Sequence, residues 1–222
     1  VSLNKKKFLF LKKFNSNGDL LWEMTPITQY PDDLALSSIN GIDVDRDGHI
    51  YIAGNYSAKT FRIGSLSFTH NTNSRSNNGF VAKLDTNGQL LWLINTEVNN
   101  NVKERGFSDV KIDPMSGKIY VSGYLLQDIR FPNGSLINFN NEFAVLEIDS
   151  SGHLVNTFSS GNVIGYNKGL DASWDPHLSA GWTGATISPK LKFRNGNIIV
   201  SGVYQENISI GSFTINATFG YN

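Results

Sequence analysis

Apolar and polar residues alternate along most of this chain, and the alternation comes in three kinds of block that recur in one order. The first kind is FVAKLDTNGQLLW at 80–92, echoed upstream by FLKKFNSNGDLLW at 10–22 and downstream by AVLEIDSSGHLVN at 144–156. Each copy is two short period-two runs about an Asn-Gly or Ser-Gly turn, the pattern of two strands joined tightly. The second kind is GIDVDRDGHIYIAG at 41–54, with counterparts VKIDPMSGKIYVSG at 110–123 and LKFRNGNIIVSG at 191–202. Its turn glycines, Gly48, Gly117 and Gly196, supply the positive φ that tight hairpins need. The third kind is FRIGSLSF at 61–68, IRFPNGSLINF at 129–139 and ISIGSFTI at 208–215, which reads as a small extra ribbon about a Gly-Ser turn.

The repeat length is about 70 residues between Gly18 and Gly88 and about 64 between Gly88 and Gly152. The spacing lengthens to about 79 between Gly117 and Gly196, through an insertion at 160–182. No stretch sustains helical periodicity. The expected organisation is a half unit at 8–30, repeat units at 39–96, 107–160 and 183–222, and the non-repeating insertion. Each unit should hold four antiparallel strands and an accessory ribbon. That is the signature of a propeller blade, so the expected fold is an all-β β-propeller segment of about three four-stranded blades, part of a larger or incomplete ring.

In order and detail the blocks resemble the bacterial β-propeller repeat family often called SBBP repeats. The FVAKLD, Asn-Gly and Leu-Trp unit, the GIDVD strand and the IYIAG strand carry the likeness, which covers nearly the whole chain. It departs from the pattern at Asn156, which stands where Trp22 and Trp92 stand. KLDTNGQLLW at 83–92 also resembles the blades of quinoprotein-like propellers, more weakly. The first resemblance implies a bacterial exported or cell-surface protein that presents blades as a scaffold or binding module for a protein or glycan partner. It also implies that the remaining blades come from the same longer chain or from another subunit.

Composition narrows the chemistry. Lys plus Arg equals Asp plus Glu at 19 each, so no global field draws in nucleic acid. The basic cluster Lys5, Lys6, Lys7, Lys12 and Lys13 reads as a solvated strand edge. Cysteine is absent, which removes disulfides, thiolate nucleophiles and cysteine zinc sites together. No apolar run is long enough for a transmembrane segment.

Two candidate sites stand out. Asp43, Asp45 and Asp47, followed by Gly48 and the His49 carbonyl, have the alternate-oxygen spacing of a calcium loop. Calcium is the one cofactor the sequence suggests. Tyr51 and Gly54 occupy the later positions where acidic ligands belong, and the other repeats lack the triplet, so the first reading is a polar hairpin turn. The second candidate is the insertion, where Trp174, Asp175, His177 and Trp182 fall outside the repeat. Aromatic residues with a nearby Asp and His on a loop can stack on a sugar or grip a peptide, or else pin the loop to its blade. Trp22 and Trp92 recur with the repeat and read as packing between blades.

Catalytic signals are weaker. His49, His70, His153 and His177 show no paired ligand spacing, and no nucleophile elbow, phosphate loop or dinucleotide fingerprint is present. The chain is therefore read as non-enzymatic, with a quinoprotein-like or polysaccharide-active propeller enzyme and an envelope assembly factor as the alternatives.

Overall fold

A computed structural model describes residues 9–29, 36–57, 60–69, 78–97, 106–125, 128–139, 142–162, 190–194, 197–201, 207–210 and 213–216. Within them the chain is all-β, with no helix; no helix there is long and apolar enough to cross a membrane.

Strands β1 (Leu11–Phe14) and β2 (Leu20–Met24) form a hairpin, and β3 (Ile27–Gln29) follows. Strands β4 (Leu36–Val44), β5 (Ile50–Ser57), β8 (Asn78–Leu84) and β9 (Leu90–Glu97) form an antiparallel sheet in that spatial order. Between β5 and β8 comes the ribbon β6 (Thr60–Ile63) and β7 (Leu66–Thr69). The plan recurs with β10 (Gly106–Ile112), β11 (Ile119–Leu125), β14 (Glu142–Ile148) and β15 (Leu154–Asn162). Its ribbon is β12 (Asp128–Arg130) and β13 (Leu136–Asn138). The hairpin β16 (Lys190–Arg194) and β17 (Asn197–Ser201) then starts a third unit, followed by the ribbon β18 (Asn207–Ile210) and β19 (Phe213–Asn216). The three block types thus become first-and-second strands, ribbon, and third-and-fourth strands, as the alternation predicts.

Matched irregularities show that these are structural repeats. The first strand is bulged between Ile39 and Gly41 in β4 and between Phe107 and Asp109 in β10. The third strand shifts register at Lys13/Phe14, Lys83/Leu84 and Glu147/Ile148. A bulge inserts a residue and bends the strand, so its recurrence at one position is part of the repeat's design.

Successive sheets stack face to face, and period-two alternation sends each strand's side chains to opposite neighbours. In the β4–β9 sheet, Ile50, Ile52, Phe80, Ala82 and Leu84 pack back on Leu9, Leu11 and Trp22. The opposite face, with Tyr51, Ala53, Val81, Trp92 and Ile94, packs forward on Phe107, Val110, Val121, Leu146 and Ile148. A third, smaller core joins Tyr120, Tyr124 and Val145 to Leu191, Phe193 and Ile198. Each core thus runs across an interface between units.

The ribbons depart from the sequence expectation. Ribbon β12–β13 does not belong to its own unit's sheet: β12 pairs with β9, the outer strand of the preceding unit. In the same way β6 pairs with β3, which follows β2, and β18 lies against β15. Each described ribbon therefore ties its unit to the one before it.

Candidate functional site

The turn that begins at Asp45 has a fixed internal chemistry. Asp45 Oδ1 accepts from the backbone N–H of Asp47 at 3.0 Å and of His49 at 2.9 Å. The Asp45 N–H donates to His49 O at 3.0 Å, and the Gly48 N–H donates to Asp45 O. Asp45 Oδ2 lies 3.0 Å from His49 Nδ1 and accepts from the Tyr51 hydroxyl at 3.2 Å. Burial raises the Asp45 carboxyl, but the hydrogen bonds and charge of His49, with the Tyr51 hydroxyl, outweigh it and hold the group below its usual range. Burial, reinforced by the Asp45 carboxylate, pushes the Tyr51 phenol up.

The same turn is built elsewhere. Asp85 accepts from the Asn87 and Gln89 N–H groups, and Asp149 from those of Ser151 and His153. Asn15 does so for Asn17 and Asp19 with an uncharged amide. The Asp45 carboxylate is thus the local organiser of a hairpin turn, an Asx-type use that needs no ion.

The structure brings Asp45, Asp47 and His49 together, with one potential ligand atom from each within 4.8 Å of the others. Asp43 is outside that group. Its Oδ1 accepts from the Val44 N–H and its Oδ2 from the Ile112 N–H of the next unit at 2.8 Å. Asp43, which the spacing makes the first calcium ligand, thus forms a bridge between units. Asp45 is already surrounded by donors, and the His49 carbonyl closes the turn. The donor set fits a self-satisfied turn better than a hard-cation cage, which needs six or more oxygens.

The second candidate, Trp174, Asp175, His177 and Trp182, lies outside the described residues, as does His70.

The repeats also share a latch whose polar half the sequence reading did not assign. Trp22 Nε1 donates to Thr86 O at 3.0 Å, and Lys13 Nζ donates to the same carbonyl at 2.9 Å. One unit on, Trp92 Nε1 and Lys83 Nζ donate to Ser150 O at 3.0 and 3.1 Å. Each Trp ring also lies on the turn glycine of the next unit. A Cβ on Gly88 would stand 3.0 Å from Trp22, and one on Gly152 would stand 2.9 Å from Trp92. The packing reading of Trp22 and Trp92 thus gains a polar half. Lys13, expected on a solvated edge, is instead committed to its neighbour, while Lys12 pairs with Glu23 at 2.9 Å. The signal was present in the sequence, because Lys13 and Lys83 occupy one position of the repeat and face Trp22 and Trp92 directly across the hairpin.

The first strands are bridged as well. Asn40 Nδ2 donates to Phe107 O, Lys111 Nζ to Ile42 O and the Arg46 guanidinium to Pro114 O. Asp109 Oδ2 accepts from the Leu191 N–H at 3.0 Å. Lys190 Nζ donates to Asn40 O at 2.7 Å and to Ser108 O at 2.9 Å, the carbonyls of the two bulged residues. Its slot holds Gly41 and Asp109 in the other units, so repetition gave no sign of this role.

These features define an all-β protein of repeating antiparallel sheets whose polar side chains are spent on turns and on bridges between units. No protein-family model matches the chain, and no curated protein matches it. A crystal structure of a protein of unknown function from Bacteroides caccae is similar over 64% of this chain and 65% of that one, with 12% sequence identity and a TM-score of 0.22. The chain thus spans just under two thirds of that protein's length.

Proposed function

We propose that the chain is a segment of a β-propeller that serves as a non-enzymatic scaffold and binding module of a bacterial exported or cell-surface protein, with a protein or glycan as its partner. The observation that carries this reading is the repeated latch: Trp22 with Lys13 on Thr86, then Trp92 with Lys83 on Ser150. A latch that recurs at one position gives each sheet the same relation to the next, which is the condition for a regular array. First strands β4, β10 and β16 lying side by side support the propeller form of that array, in which the first strands surround an axis. The export and surface assignments rest on the family resemblance. The turn carboxylates favour a scaffold over an enzyme, because Asp45, Asp85 and Asp149 are each occupied with backbone donors.

The test has two parts. Electron-microscopic class averages of the intact protein should show radially arranged sheets, and a straight rod of stacked sheets would end the propeller reading. Arrays of glycans and surface-protein peptides should yield a saturable ligand that is recovered chemically unchanged. Turnover of a polysaccharide by the protein would establish the enzymatic alternative instead.

A further inference from the structure

The first strands β4 and β10 are bulged at one matched position, at Asn40 and at Ser108. A bulged residue is left out of the ladder, so its carbonyl oxygen needs a donor from elsewhere. Here both carbonyls receive the same donor. Lys190 Nζ lies 2.7 Å from Asn40 O and 2.9 Å from Ser108 O, so a single point is within hydrogen-bond reach of oxygens from two successive units.

The oxygens and the lysine have different origins. The bulge recurs with the repeat, and the carbonyl it frees recurs with it. The lysine does not, since Gly41 and Asp109 hold its slot in the two units that supply the oxygens. The fold therefore builds the pair of acceptors, and a side chain from a third unit fills the space between them. What fills it is a compact monovalent cation on a flexible stem. Backbone carbonyls held in place are also the groups that replace the hydration shell of potassium in selective sites.

The surroundings favour positive charge. Asp109, next to Ser108 in the chain, is buried, with Oδ1 accepting from the Val110 N–H and Oδ2 from the Leu191 N–H, each at 3.0 Å. Lys111 Nζ lies 3.4 Å from the same carboxylate and donates to Ile42 O at 3.2 Å. Lysine ammonium groups thus serve first-strand carbonyls at two places, and at the bulges one ammonium serves two units at once. Three strands meet there: β4 and β10 give the oxygens, and β16 gives the cation. Docking of β16–β17 and filling of the site are therefore one event, and an ion that fills the site in place of Lys190 competes with that docking.

We propose that Asn40 O and Ser108 O form a monovalent-cation site whose resident occupant is the Lys190 ammonium, and that a free ion of the same charge and size, ammonium or potassium, takes the site when β16–β17 lifts. Lys190 is a tethered ion that couples this hairpin to the ionic composition of the medium. The proposal needs the packing of β4, β10 and β16 alone, and it holds whether or not the sheets close into a ring.

Two measurements test it, each comparing ammonium, potassium and tetramethylammonium chlorides at equal concentration. Tetramethylammonium carries the charge but is too large for the gap and has no N–H. In Lys190→Ala the site is left to ions from solution, so the folding constant from urea unfolding should be about fivefold higher in 1 M ammonium or potassium chloride than in the tetramethylammonium salt, the factor for a dissociation constant of about 0.25 M. The parent protein should show no such gain. In the parent the same ions should act in the opposite direction, on the lifted hairpin. Amides of β16–β17 that exchange through that lifting should exchange about fivefold faster in ammonium or potassium chloride, while those of β8–β9 keep their rates. Identical Lys190→Ala unfolding in the three salts overturns the proposal, because water then serves the carbonyls as well as a cation does. So does β16–β17 exchange in the parent that is indifferent to the cation, or that changes equally in every sheet as a general salt effect. The exchange measurement decides alone if Lys190→Ala does not fold.

Discussion

The ammonium of Lys190 sits 2.7 Å from the carbonyl oxygen of Asn40, a residue 150 positions earlier in the chain. It donates also to Ser108 O, so one side chain satisfies the bulge carbonyls of two first strands. Bulges free a carbonyl from the ladder, and a freed carbonyl away from water needs a donor. Lys190→Met removes a charge-assisted bridge and should destabilise the fold by about 1–3 kcal/mol. Hydrogen exchange is the discriminating readout: protection should fall first in β16–β17 while β10–β11 stays protected. A uniform loss across all sheets would mean that Lys190 is not a local clamp.

The latch makes a sharper test, because two donors share one acceptor. Trp92→Phe keeps a ring on Gly152 but removes one donor from Ser150 O, and Lys83→Met removes the other. Each alone should cost about 0.5–1.5 kcal/mol. Together they leave the carbonyl without either donor, so the pair should cost more than the sum of the singles in urea unfolding. Trp92→Ala adds a cavity between units and should cost about 3–5 kcal/mol. Strict additivity of the two conservative changes would show that the shared carbonyl does not couple them.

Two glycines of similar conformation should respond differently to the same substitution. Gly117 has φ +71° and open space where a methyl group would go, while Gly152 has φ +83° and would place a Cβ 2.9 Å from Trp92 and from Pro132. Gly117→Ala should cost about 1 kcal/mol, the conformational term alone. Gly152→Ala adds overpacking at the latch and should cost about 2–4 kcal/mol. Equal unfolding midpoints for the two variants would mean that Trp92 moves aside freely.

The Asp45 turn predicts a pH dependence of definite sign. Its folded-state carboxyl lies below the usual value of 3.8, so its contribution to stability is fully present above that value and is lost as pH falls through the lower folded value. Asp45→Asn retains an oxygen that can accept the turn N–H groups, as Asn15 does in its own turn. The variant should therefore fold at neutral pH and lose stability less steeply on acidification. An acid limb of the same slope in both proteins would place the sensitive carboxylates elsewhere.

Calcium should leave the unfolding midpoint unchanged, because Asp43 is committed to Ile112 and Asp45 to its own turn. Scanning calorimetry with millimolar calcium or with chelator checks this. A rise of several degrees that disappears in Asp47→Ala would make the cluster a metal site after all.

Strand type and turn position were legible because they depend on local chemistry: period-two alternation, Asn-Gly or Asp-Gly turns, and recurring order. The packing role of Trp22 and Trp92 was legible for the same reason, since repetition marks an interface residue. What alternation does not encode is which unit a ribbon joins. The pattern around Ile129 gives a strand and its faces, but not the choice of Thr96 as its partner, which depends on how the sheets stack. The separation of Asp43 from Asp45 and Asp47 was illegible for a related reason. Residues two apart on a strand share a face, yet the chain leaves the strand at Val44, so Asp43 reaches the next unit while Asp45 turns inward on its loop.

Because ribbon strand β12 pairs with β9, the outer strand of the unit before it, the boundary of sequence repetition is not the boundary of folding. During synthesis the β9 edge stays bare until residues 128–130 have emerged, well after its own repeat is finished. A truncation placed neatly between repeats would cut one sheet short and leave a sticky edge on another, so excision or grafting of these modules should follow the ribbons and run one hairpin past the apparent end of the motif.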